Sequence, residues 1–347
     1  MYRSNAFVES FGIVLFNSAS TLCDTAQIMA VYTDVSFEEL KLFLAAYDLG
    51  EPHVFKGIAE GVSNSNYFLQ TVRGSFILTL YEMRVEADHL PFYLGLMEHL
   101  SQRGVCCPVP VHAQGGRMTG DLNGRPAAIL TFLDGVSLRR PQPEHCQLAG
   151  RTMAELHAAG ADFQQKRANT LGPSGWRKLA QDCAASADTV APGLRELIED
   201  ELAVLEAGWP SHLPAGVIHA DLFPDNVLFV ADRISGIIDF YFACNDAPAY
   251  DLAVALNAWC FESDGAFNIT NGRALIAGYQ AKRPLKGEER DALPILCRGA
   301  ALRFLLTRLY DWLNHNPAAL VRPKDPREFL RRLRFHRAVK DAGAYGL

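Results

Sequence analysis

The sequence predicts an α+β chain of two lobes, the first rich in β-strand and the second mainly helical. Three observations carry this. Short runs of β-branched and aromatic residues, broken by turn residues, crowd the stretch 53–133. From about residue 143 apolar residues recur at helical spacing instead. The composition changes between the two, where Asp134-Gly135 ends the last strand-like run. A chain of 347 residues has room for two cores of about 150 residues each. The expected organisation is an extension outside the fold (1–28), a β-rich nucleotide-binding lobe (29–133) and a helical lobe (134–347). The site is expected in the cleft between the lobes.

The elements follow in order. The patch FGIVLF near the start is too short for a secretory core and stands behind Arg3 alone, so 1–28 reads as an upstream extension before Met29. Ser36-Phe-Glu-Glu39 is a capping box, and Phe37, Leu40, Leu44 and Tyr47 mark one helical face that Gly50 closes. Strands are predicted at 53–60, 65–72 and 75–81, with Arg73-Gly74 as the turn between the last two. A helix fits 91–103, Pro91 in its first turn and Gly104 after its end. Strand-like runs follow at 109–113, 116–118 and 125–133, with Asp121-Leu-Asn-Gly124 as a turn. In the second lobe, helices are predicted from about 143, at LRELIEDELAVLEAG, at PAYDLAVALNAWC, at 294–314 and from Asp325-Pro326. The arginines of that last helix (Arg327, Arg331, Arg332, Arg334, Arg337) read as a solvated face.

The bulk composition excludes several classes. Lys and Arg number 33 against 39 Asp and Glu, a net charge of −6, which speaks against nucleic acid as a partner. No run reaches about 18 uninterrupted apolar residues, so no membrane helix is expected. The eight cysteines form no C-x-x-C and read as reduced thiols of a cytoplasmic protein. No P-loop, H-E-x-x-H or G-x-S-x-G is present. Monomer and homodimer both remain open.

The chemistry concentrates in VIHADLFPDNVLFVADRISGIIDF, residues 217–240. Polar groups set among such apolar residues cost free energy unless paired or holding a ligand. VLFV and GIIDF read as a hairpin centred between Asp232 and Arg233, which opposes Asn226 and Asp239 across the ladder. An amide and a carboxylate so placed suit Mg²⁺, which takes oxygen ligands and completes its shell from phosphates and water. Asp221, on the loop entering the hairpin, is the candidate base for an acceptor hydroxyl. His219 is grouped with it and braces the loop. The spacing H-x-D-x-x-x-x-N, followed by a strand-terminal Asp, fits the kinase template of catalytic loop and metal ligands.

At these residues the chain resembles the aminoglycoside-phosphotransferase-like branch of the protein-kinase-like fold. His219-Ala220-Asp221-Leu222 through Asn226 stands where that branch has H-G-D-L-x-x-x-N, with Ala220 in place of the usual Gly. Ile238-Asp239-Phe240 matches its later I-D-F/W, and Asp251 in AYDLA matches an Asp that supports the catalytic loop. The resemblance covers roughly residues 33–340. Within the branch the chain is most similar to bacterial homoserine kinases, through VSNSNYFL, FILTLYE, LPFYLGLMEHL, HADLFPDNVLF and IDFYFACND with NAWC beyond. That similarity implies ATP and Mg²⁺, with the side-chain hydroxyl of L-homoserine as acceptor, on the route to threonine.

Thr79 stands where protein kinases carry a phosphate-holding Lys, as the resemblance to homoserine kinases also leads one to expect. The loop GVSNSN is then the candidate phosphate contact, through Ser63, Asn64, Ser65 and Asn66, although it also reads as a plain hairpin turn. ATP is expected near Thr131 and Leu133. The acceptor candidates are Tyr241, Asp246, Asn257 and Arg308, a guanidinium being suited to the substrate carboxylate. Sister kinases acting on choline, methylthioribose, hydroxylysine or an aminoglycoside are the nearer alternative. A non-catalytic pseudokinase that binds a partner is the farther one.

Overall fold

The computed structural model describes residues 33–58, 64–82, 87–315 and 322–347. The extension 1–28 and the phosphate-loop candidate Ser63 lie outside the described residues. The chain divides into two compact units, one of residues 1–94 and 108–136, the other of 95–107 and 137–347.

In the first unit, α1 (Phe37–Leu44) starts at the foreseen capping box, Ser36 and Glu39 satisfying each other's backbone amides. Strands β1 (Pro52–Gly57), β2 (Asn64–Thr71), β3 (Gly74–Tyr81), β4 (Gly120–Leu122) and β5 (Arg125–Thr131) form one antiparallel sheet in the order β1-β2-β3-β5-β4. Period-two alternation fixes its core face. Tyr67, Leu69, Phe76, Leu78, Leu80, Ala127 and Ile129 pack with Leu40, Phe43 and Leu44 of α1.

The structure moves some of the sequence boundaries. The β2–β3 turn is Val72-Arg73, not Arg73-Gly74, because Gly74 already pairs with Thr71. The run 109–113 makes ladder-like bonds through Val109 and Val111 to Thr131 and Ile129 without becoming a full strand. The run at 116–118 is displaced to β4, where Asn123 and Gly124 supply the two positive φ angles of a tight hairpin turn.

Helix α2 (Leu90–Gln102) occupies the predicted segment. The second unit then carries α3 (Pro143–Ala159), α4 (Pro173–Cys183), α5 (Ala187–Val190) and α6 (Leu194–Gly208). Strand β6 (Gly216–Ile218) pairs with the later β9 (Cys244–Asp246), and β7 (Val227–Val230) with β8 (Arg233–Ile237). Helices α7 (Pro248–Trp259), α8 (Ile269–Gln280), α9 (Gly287–Leu313) and α10 (Arg327–Ala338) complete it. Helix α9 starts seven residues before the predicted start at Pro294 and runs through that proline. Its apolar residues, from Leu293 to Leu309, are buried along most of its length, and this packing holds the helix across the missing amide. The solvated-arginine reading of α10 fails at Arg332, which is buried and bonded to Glu328 and the Asn257 carbonyl. Arg337 stays exposed while pairing with the fully buried Glu201.

Helices α3 and α8 meet backbone to backbone. A methyl on Gly150 would lie 2.0 Å from the Leu275 carbonyl, and one on Gly278 2.0 Å from that of Gln147. Gly278→Ala is therefore expected to force the helices apart and destabilise the protein by about 2 kcal/mol or more, as overpacking does. Urea denaturation measures this, and unchanged stability would contradict the contact.

Candidate active site

The loop after β6 is built around one buried carboxylate. Asp251, in the first turn of α7 and fully buried, accepts the backbone N–H groups of His219 at 2.9 Å and Ala220 at 2.8 Å. His157 of α3 donates from Nε2 to the same carboxylate at 2.9 Å, and its Nδ1 meets the Tyr279 hydroxyl at 2.9 Å. Burial by itself raises the pKa of Asp251. The hydrogen bond and charge of His157, with the contributions of His219, outweigh it and leave the group below the usual carboxylate range.

His219 is neutral in this setting. Its Nε2 donates to the Ile238 carbonyl at 3.0 Å, so Nδ1 is free to accept the Asp221 amide at 3.2 Å. Burial lowers its pKa against the opposing pull of Asp251. The ring ties β6 to the segment after β8 and turns Asp221 outward. It braces the loop.

Asp221, Asn226 and Asp239 come to one locality by a route that differs from the predicted one. The β7–β8 register pairs Val227 with Ile237 and Leu228 with Gly236, with a bulge beyond. Asn226 thus faces Ile238, whose amide donates to its carbonyl at 3.0 Å, and the predicted Asn226–Asp239 cross-strand pair does not form. The cause is the turn, a tight one at Ala231-Asp232 with Ala231 at φ 50°, which shifts the hairpin centre. Asp239 returns to the site because its own backbone adopts φ 65°, a left-handed kink that costs a non-glycine residue about 1–2 kcal/mol. Asn226 donates from Nδ2 to the Asp221 carbonyl at 2.8 Å and carboxylate at 3.1 Å, which turns its Oδ1 away from Asp221.

Both carboxylates resist ionisation. Burial pushes Asp221 up to about 7, with the Arg303 guanidinium opposing and the charge of Asp239 adding. Burial lifts Asp239 to about 6 against the neighbouring Tyr241 amide. Both are densely surrounded by protein yet open to water, Asp221 half-buried and Asp239 exposed. A hard cation would relieve this tension, and the donor set of one amide oxygen and one carboxylate suits Mg²⁺. Among the described residues no cluster of three His, Cys, Asp or Glu side chains forms a metal cage.

The remaining candidates divide. Ser65 and Thr79 are buried with their hydroxyls engaged inside the sheet, Ser65 on Glu82 at 2.7 Å and Thr79 on Asn66 at 2.8 Å. Asn64 accepts the Glu82 amide, and Thr131 accepts the Val109 amide at 2.9 Å. Leu133 is half-buried in the first unit. Asn257 is fully buried, its amide bonded to the carbonyls of Ala253 and Cys297 and to His336, which makes it a strut between α7, α9 and α10. Arg308 is bound to Glu328 and lies over Phe329. Asp246 holds Asn169 and the Ala247 amide, and Tyr241 stays half-buried two residues past Asp239.

Two residues went unseen in the sequence. His157, in an ordinary apolar helix, carries no local signal. Lys324, in RPKDP, bonds Asp225 of the loop after β6 at 3.2 Å, and its charge acts on Asp221.

The sequence model of the phosphotransferase enzyme family matches residues 54–285. The homoserine kinase of Xanthobacter autotrophicus is 62% identical over 319 residues, covering 92% of this chain and 99% of that protein. That of Azorhizobium caulinodans is likewise 62% identical over 319 residues with the same coverage. Among solved structures, a spectinomycin phosphotransferase in complex with ADP and spectinomycin superposes with a TM-score of 0.65 at 15% identity, over 87% of this chain and 97% of that one. A choline kinase from Cryptosporidium parvum superposes with a TM-score of 0.63 at 16% identity, over 87% of this chain and 94% of that one.

Two outcomes follow for stability. Asp251→Ala leaves two buried amides and a histidine without their acceptor and is expected to cost about 3–5 kcal/mol in a urea titration. The raised carboxylates act in the opposite sense. In the native state they keep protons that the unfolded chain has released, so stability falls as pH rises through the window between the ordinary carboxylate range and their raised values. Without divalent cation, Asp239→Asn should melt above wild type by a margin that widens from about pH 4 to about pH 6 and then levels off. A constant margin would contradict the shift.

Proposed function

Because the chain belongs to the phosphotransferase enzyme family and, within it, to the homoserine kinases, we propose that residues 217–251 carry its phosphoryl transfer. The activity is homoserine kinase activity, a phosphotransfer from ATP to an alcohol. The acceptor oxygen of L-homoserine attacks the γ-phosphorus, the bond from that phosphorus to the bridging oxygen breaks, and ADP and O-phospho-L-homoserine leave. Asp221 orients the hydroxyl and takes its proton, which passes on to water. The observation that supports this best is the geometry around Asp221. Its carboxylate is fixed by Asn226, its backbone by His219, and it remains open to solvent.

Asn226 Oδ1 and Asp239 are assigned to Mg²⁺. The ion supplies neutralisation of the phosphate charge. ATP is assigned to the first unit, through Ser63, the backbone of Asn64–Asn66, and Thr131 and Leu133. With their hydroxyls engaged in the sheet, Ser65 and Thr79 contribute shape there. On the acceptor side Tyr241 and Asp246 remain assigned, with Lys324 added as a cation whose field reaches Asp221. Arg308 and Asn257 act as framework. A cytoplasmic location suits an ATP-using enzyme whose described cysteines are free thiols. No helix among the described residues is long and apolar enough to cross a membrane.

A coupled ADP-release assay should show turnover with L-homoserine well above that with choline, methylthioribose, hydroxylysine or an aminoglycoside. Preference for one of the others would move the acceptor assignment. Asp221→Asn is expected to keep ATP binding and lower kcat by about a hundredfold or more. Asp239→Ala should abolish the Mg²⁺-dependence of ATP binding in calorimetry, and an unchanged Mg²⁺ titration would remove it as a ligand.

A further inference from the structure

Arg303, on α9, is 1% exposed. Its guanidinium donates from Nη1 to the Ala220 carbonyl at 2.5 Å, and its Nε meets no acceptor in hydrogen-bonding geometry. The rest of the group lies against the rings of Phe304 at 4.6 Å and Phe242 at 5.5 Å. Taking a guanidinium out of water costs several kcal/mol, and one carbonyl, two aromatic faces and the attraction of the Asp221 carboxylate offset only part of that. An apolar side chain of similar volume would serve packing better, so the charge points to a role in the loop.

The carbonyl it holds belongs to an unusual residue. Ala220 has φ 63°, a left-handed conformation that glycine adopts freely and alanine does not. Asp251 fixes the Ala220 amide from one side, and Arg303 fixes its carbonyl from the other. The peptide group that Arg303 grips is the one joining Ala220 to Asp221. Both peptides flanking the strained residue are therefore clamped, and the direction of the Asp221 side chain follows from them.

We propose that Arg303 is a positioning residue for phosphoryl transfer, holding the Ala220–Asp221 peptide so that the Asp221 carboxylate is aimed at the acceptor hydroxyl. This rests on the assignment of Asp221 above. Arg303 touches neither ATP nor acceptor. Its loss acts on kcat and spares binding, because the pocket stays while the aim of the base changes and, with the guanidinium gone, its carboxylate ionises less readily. Misplacement of a reacting group by about 1 Å costs about a hundredfold in rate.

Arg303→Met tests this by separating stability from rate. The apolar side chain removes a buried charge, so the variant should melt at or above the wild-type temperature. Assayed at about pH 9, where the Asp221 carboxylate is ionised without help from the guanidinium, its kcat should fall about a hundredfold with both KM values within about threefold of wild type. A folded Arg303→Met with kcat within about threefold of wild type overturns the proposal, as does a loss confined to KM. Should that variant fail to fold, Arg303→Ala is assayed with and without millimolar guanidinium. Recovery of kcat by about tenfold supports the clamp, and no recovery overturns it. If wild type does not turn over L-homoserine, the acceptor assignment fails by itself. The variants are then compared on whichever acceptor of the panel wild type accepts, since the loop serves any hydroxyl.

Discussion

The Asp251 carboxylate receives two successive backbone amides of the loop after β6 and a histidine from α3. Two consecutive peptide N–H groups can meet one carboxylate only where the chain bends sharply, and the bend is supplied by Ala220. Once bent, the chain cannot place Asp221 anywhere else, since His219 takes its amide. A charge inside the protein, compensated on every side, thus sets a charge at the protein's edge.

The two groups have opposite environments. Asp251 is sealed and richly bonded, so it ionises readily. Asp221 and Asp239 are poorly bonded for the charge they carry, and burial works against them. The fold tolerates the second pair because the first anchors the loop. A stability optimum would reverse this and supply donors to the outer carboxylates, which would leave nothing there for a ligand to satisfy. The left-handed backbone at Ala220 and Asp239 belongs to the same pattern of local strain held by surrounding bonds.

Much of this was legible in residue order. The spacing from His219 through Asn226 to Asp239 picked out side chains that the fold does bring to one locality, because short-range chemistry is written locally. The hairpin register was misread because it depends on which two residues make the turn, and Ala231 is an improbable residue for a positive φ. Asn257 looked like a binding residue because its segment follows the metal-ligand candidate Asp239 in the chain. Its partners come from α9 and α10, as far away as His336. His157, α8 and β9 were missed for the same reason, their roles being contacts between distant segments. Arg332 looked solvated because one of its acceptors, the Asn257 carbonyl, lies on another helix.

The close approach of α3 and α8 reaches further than packing. His157 stands on α3 and Tyr279 on α8, and they meet because Gly150 and Gly278 let the two backbones touch. The imidazole that steadies Asp251 is thereby oriented by two residues without side chains. Natural variation should accordingly be as sparse at positions 150 and 278 as at the reactive aspartate, for want of volume and not for any chemistry of their own.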